Sequence, residues 1–250
     1  MAPQTPTRVS GLFQDTLAIC DTRSWESIIR GDDNASRCLV DKVTWYKQSS
    51  TVQHEFLQFI IWSEDGRHAS IVLAEPGMFR VKSDRRQESV AQPGTISTAS
   101  ATPPASASPT TADIDGAIDT VYAATFGSGA ATGLVVKCSG ATTLRTLTFP
   151  VGSTRPSAHE LATLLVVTSD NKSRYNVMGS QCCGFAETAF EALKRLFPDA
   201  REDIQSRRTV TGYDAPIPIA DRVDAVCTAY RKRNTFLVEE ANRDGELSKR

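Results

Sequence analysis

Gln53-His54-Glu55-Phe56-Leu57-Gln58-Phe59-Ile60-Ile61-Trp62, Ser63-Glu64-Asp65-Gly66-Arg67 and His68-Ala69-Ser70-Ile71-Val72-Leu73-Ala74-Glu75 are consecutive, and the fold follows from how they pair. Two runs rich in β-branched and aromatic residues flank a turn signal. Asp-Gly suits a type I′ hairpin turn, because both central residues need positive φ. Pairing about this turn sets position 56 opposite 75 and position 54 near 77. Pro76-Gly77 ends the hairpin.

Working outward, Leu12, Phe13, Thr16, Leu17 and Cys20 recur at helical spacing and predict a helix. A second short helix is expected over Asp21 to Arg30, and a strand over Leu39 to Tyr46, with Val43 and Trp45 on one face. Downstream, Thr120 to Phe126, Leu134 to Cys138 and Thr143 to Phe149 read as short strands between glycine-rich turns. Ser157-Ala158-His159-Glu160 is a capping box that opens a helix through Val167. A helix over Gln181 to Phe197 stops at Pro198, with an apolar stripe of Cys182, Phe185, Ala186, Ala189, Leu193 and Leu196. Residues 212–219 read as extended. A long last helix begins near Asp221, with Val223, Val226, Tyr230, Leu237 and Ala241 on one side and mixed charge on the other.

These elements make the fold class α+β: a small antiparallel sheet packed against helices, with a long C-terminal helix. Of the 24 residues from 89 to 112, 20 are Ser, Thr, Ala or Pro, and none is charged. Such a stretch buries too little apolar area to offset its ordering entropy. The expected organisation is therefore an N-terminal helical and irregular segment over 1–38, one α+β domain over 39–81 and 117–250, and a disordered insertion over 82–116.

Lys plus Arg is 28 and Asp plus Glu is 29, a net charge of −1, and 40% of the residues are hydrophobic. That balance excludes a general nucleic-acid binder, which carries a basic surplus. No apolar run is long enough for a transmembrane helix. The start Met1-Ala2-Pro3-Gln4-Thr5-Pro6 lacks the basic and apolar regions of a secretory signal, so the expected location is cytoplasmic. The six cysteines form no C-x-x-C pair, and His54, His68 and His159 are scattered. No metal and no cofactor is expected.

Cys182 falls at the start of a predicted helix. Free N–H groups and a partial positive charge at such a terminus favour thiolate, and the same N–H groups can stabilise an oxyanion. A thiol nucleophile needs a base, and His54 enters the strongest strand. Hairpin pairing brings Glu75 to the His54 end, where it can orient the imidazole. His68, the other candidate orienter, lies near the hairpin tip. The candidate catalytic set is Cys182 as nucleophile, His54 as base and Glu75 as orienter.

A strand bearing His, a hairpin, further strands and then a helix beginning at Cys resembles the circularly permuted papain-like folds of the NlpC/P60 superfamily. The lecithin:retinol acyltransferase-like proteins belong to that branch. Gln181-Cys182-Cys183-Gly184-Phe185 stands where their helix reads Asn-Cys-Glu-His-Phe. His54-Glu55-Phe56-Leu57, Cys182 to Ala186 and Pro216-Ile217-Pro218-Ile219 also resemble, in order, a family of proteins from mushroom-forming fungi. The resemblance implies a thiol hydrolase or acyltransferase acting on an amide, ester or thioester carbonyl. The alternative is a catalytically inactive protein-interaction module of the same fold, with a protein partner in place of an acyl or amide substrate.

Overall fold

In the computed structural model, the described residues are 9–48, 54–77, 119–172, 181–205 and 218–247. The side chains of 172, 181–183, 241–242 and 244–247 are outside the description. The expected insertion over 82–116 and the extended stretch up to 217 lie outside the described residues.

The chain is α+β, with seven strands in one antiparallel sheet and five α-helices among the described residues. In order these are β1 (Ala18–Asp21), α1 (Thr22–Arg30), a 3₁₀ turn (Asp33–Arg37), β2 (Leu39–Gln48), β3 (Glu55–Trp62), β4 (Ala69–Glu75) and β5 (Thr120–Thr125). Then come α2 (Gly129–Ser139), β6 (Ala141–Thr148), α3 (Ala158–Lys172), α4 (Gln181–Leu196), β7 (Arg201–Ile204) and α5 (Ile219–Leu247). The strand order is β1-β5-β4-β3-β2-β6-β7.

The β3–β4 hairpin keeps the expected register, with Leu57 opposite Ala74 and Trp62 opposite Ala69. Its tip is longer than a two-residue turn. Ser63 N–H donates to the His68 carbonyl at 2.9 Å, which leaves a loop over 64–67. Asp65 accepts from the Arg67 N–H and the Ser63 hydroxyl, and Gly66 takes positive φ, at 66°.

Each strand has two faces, and helices cover both. On one face lie Val43, Trp45, Leu57, Phe59, Ile61, Val72, Ala74, Val121 and Ala123, packed with Trp25, Ile29 and the apolar residues of α3, α4 and α5. On the other lie Phe56, Ile71, Leu73 and Ala124, packed with Ala131, Leu134 and Cys138 of α2. Helix α4 crosses the centre of the first face. Helix α3 is wedged between α1, α4 and α5, so its residues from Leu161 to Thr168 are all buried. The capping box forms as expected: Ser157 Oγ accepts the Glu160 N–H at 3.2 Å, and Glu160 accepts the Ser157 N–H at 2.9 Å.

Three elements differ from expectation. Leu134 to Cys138 is helical: Ser128 caps α2 by accepting the Ala131 N–H, and Ala131, Leu134 and Cys138 lie three and four residues apart on one buried stripe. The apolar residues from Leu12 to Cys20 form a turn and an edge strand. Leu12 and Phe13 N–H groups both bond the Val9 carbonyl, and Gly11 takes φ 78° where a Cβ would meet Ile28 Cγ2 at 2.9 Å. β1 then pairs with β5, so part of the 1–38 segment belongs to the sheet. β7 closes the opposite edge with a charged sequence.

Candidate functional site

Strand alternation decides which face each side chain of β3 serves. His54 and Phe56 share the α2 face, with their rings 6.3 Å apart. Glu75 ends β4 on the same face, and its Oε2 lies 3.4 Å from His54 Nε2. The expected His54–Glu75 pair is therefore brought together. Lys137 from α2 completes it, pairing with the other Glu75 oxygen while its Nζ sits 5.6 Å over the Phe56 ring and 5.3 Å over Tyr122. His54 and Glu75 side chains are only 11% and 10% exposed. Burial acts to raise the Glu75 pKa, but hydrogen bonds from His54 and Lys137 outweigh it and hold the carboxyl below its ordinary value. Beside this group, Tyr46 donates to Gln58, and Gln58 donates to Cys138 Sγ at 3.2 Å. His68 stands at the hairpin tip, its ring 6.1 Å from Phe13. His159 Nε2 lies 3.0 Å from the Ile29 carbonyl.

Cys182 falls in the first turn of α4, on the opposite face of the sheet. Phe190 packs against Trp45 with tilted rings 5.7 Å apart, and Phe197 meets Phe149 edge-on at 6.2 Å. The Phe149 N–H bonds the Asp41 carbonyl, so α4 ends at the Asp41 end of β2. Position 182 is eight residues before Phe190, about 12 Å along the helix toward the His54 end. The first turn of α4 and His54 thus share one end of the sheet.

The polar residue of β3 on the α4 face, beside Leu57, Phe59 and Ile61, is Glu55, which the sequence reading passed over. It is fully buried, accepts from Trp45 Nε1 at 3.1 Å, and lies 3.6 Å from Lys47 Nζ. Arg145 continues this polar layer. Its guanidinium lies 4.9 Å over Phe190 and 5.9 Å from the Trp45 ring, and it pairs with Glu191 of α4 and Glu202 of β7. Lys194 also pairs with Glu202. At the first turn of α4, Arg222 packs so closely that a Cβ on Gly184 would lie 2.6 Å from its Nη1. Arg222 Nη2 then reaches Glu187 at 3.6 Å, and burial raises the Glu187 pKa. Between α4 and α5 runs a groove of about 450 Å³ lined by Glu187, Glu191, Lys194, Arg195 and Val223.

Burial favours the protonated form of the described thiols. Burial pushes Cys38 and Cys138 up to about 11 and also raises Cys20 and Cys227. Among the described residues no cluster of three His, Cys, Asp or Glu could hold a metal ion, and no helix is long and apolar enough to cross a membrane. The sequence reading places Lys137 in a strand; helical spacing of Ala131, Leu134 and Cys138 after Ser128 is the signal that marks the helix. No family model, no curated protein and no solved structure matches the chain.

Proposed function

We propose that this chain is a non-catalytic protein-interaction module on a permuted papain-like scaffold. The observation that carries the reading is the joining of His54 and Glu75 with Lys137 of α2. His54 and Glu75 join Lys137 in fastening α2 to the sheet, while α4 packs on the other side. The order of His-bearing strand, hairpin, further strands and Cys-bearing helix supports the papain-like scaffold.

The outer half of α5 supplies the contact surface. From Arg231 to Glu240 no residue is buried, and Phe236 and Val238 are more than half exposed. Arg231-Lys232-Arg233 and Glu239-Glu240 flank this apolar turn. An exposed aromatic between charges of opposite sign suits an apolar pocket rimmed by charge on a protein partner.

A second reading, thiol chemistry at Cys182 on an acyl or amide carbonyl, draws support from Arg222. A cation against the first turn of α4, together with the helix N-terminus, favours thiolate. Iodoacetamide alkylation of positions 182 and 183, read separately by peptide mass spectrometry across pH, separates the two. The module reading expects an ordinary thiol profile with a midpoint of about 8.5. Fast alkylation of Cys182 below neutral pH that His54→Ala slows would overturn it.

A further inference from the structure

We propose that β1 is a self-docking edge, through which two copies of this chain pair antiparallel about Ile19 and join their sheets. The argument starts from register. Ala18 stands opposite Ala123 and Asp21 opposite Thr120, and the next residue, Thr22, donates its N–H to Asp119 at 3.1 Å. Hydrogen-bonded pairs alternate along an antiparallel ladder, so Cys20 and Ala18 bond β5. Leu17, Ile19 and Asp21 turn their backbone groups to the open edge. No bonding partner stands on that side among the described residues.

The side chains on this edge are apolar and exposed. Ile19 is 60% exposed and Leu17 39%. Phe126, just past β5 and in phase with Tyr122 and Ala124, is 57% exposed. Natural edges are guarded by short strands, charge, proline or bulges; β1 is short, but it carries no proline and no bulge. Its one charged residue, Asp21, is occupied in capping α1, accepting the Ser24 N–H at 2.8 Å.

Self-complementarity selects a second copy as the occupant. A two-fold axis at Ile19, perpendicular to the sheet, pairs Ile19 with Ile19 and exchanges two backbone bonds there. The Asp21 N–H then meets the Leu17 carbonyl on each side, giving four bonds in all. Ala18 falls opposite Cys20, two small apolar groups half covered by the core. The same rotation sets exposed Asp15 toward the start of α1, where Arg23 is 66% exposed and also bonded to Asp170. The strand is short, so the dimer belongs with weak, transient interfaces.

The test is disulfide trapping. Residues directly opposite in a hydrogen-bonded pair have Cα atoms about 5.5 Å apart, inside the disulfide window. Ile19→Cys in a Cys20→Ser background, under a mild oxidant at about 100 µM, is expected to form a linked dimer at least tenfold faster than Ile204→Cys on the opposite edge strand. Wild-type protein should show concentration-dependent association by sedimentation velocity, and Ile19→Lys should abolish it with unchanged circular dichroism. Equal trapping rates at 19 and 204, or association that survives Ile19→Lys, overturns the proposal.

Discussion

Replacing Glu75 with Gln separates a structural His54–Glu75 pair from a catalytic one. The Glu75 carboxylate lies between His54 Nε2 and Lys137 Nζ, and only 10% of the side chain is exposed. Gln keeps the shape and one acceptor but removes the charge from both contacts. Charge-assisted bonds exceed neutral ones by about 1 kcal/mol each, so two contacts predict a loss of about 2 kcal/mol at pH 7. For a body of this size that corresponds to a melting shift of about 4–8 °C.

The sign of the pH dependence is fixed by Glu75. Its folded pKa lies below the ordinary value of 4.5, so its contribution is full above 4.5 and fades as pH falls through the folded value. The gap between wild type and Glu75→Gln in denaturant melts should therefore be present at neutral pH and narrow below 4.5. Alkylation of Cys182 should not change. Equal stability at pH 7, a gap that widens on acidification, or slowed alkylation of Cys182 would refute the reasoning.

Two further substitutions probe the opposite face. Arg145→Met leaves the Glu191 and Glu202 carboxylates with only Lys194 paired to them among the described residues and strips a cation from two aromatic rings; a loss of about 3 kcal/mol is expected, read by urea denaturation. Gly184→Ala should gain about 1 kcal/mol of helix propensity but displace the Arg222 guanidinium, so its net effect is near zero. In an Arg222→Ala background the same change should stabilise by about 1 kcal/mol, and identical effects in both backgrounds would contradict the packing of Arg222 on α4.

The central hairpin was legible because its signals agree: two strong β runs, a turn between them, and a register that pairs Phe56 with Glu75. Ser157 and Glu160 announced α3 by reciprocal capping. Helix α2 was obscured because Val135 and Val136 carry strand propensity, and its glycines weaken any helical signal. β7 was invisible because an exposed edge strand needs no apolar pattern: Arg201-Glu202-Asp203 is charged throughout and only Ile204 is apolar. β1 was misread because Leu12 and Phe13 are buried by tertiary packing under a turn, and their spacing from Cys20 is helical by coincidence.

The candidate site divides the same way. Proximity of His54 to Glu75 follows from hairpin register, which sequence supplies. The face that α4 covers does not, because β3 is apolar on both sides: Phe56 serves one core and Leu57, Phe59 and Ile61 the other. Alternation separates His54 from Glu55, but only the packing of α4 tells which of them it meets.

The most direct measurement is the imidazole titration of His54 by carbon–proton NMR, assigned with His54→Ala among the three histidines of the chain. Lys137→Ala should move the His54 midpoint upward, because a cation next to its partner carboxylate is gone, while Cys182→Ala should leave the curve in place. A midpoint that responds to Cys182→Ala and ignores Lys137→Ala would place the imidazole against α4 and contradict the account.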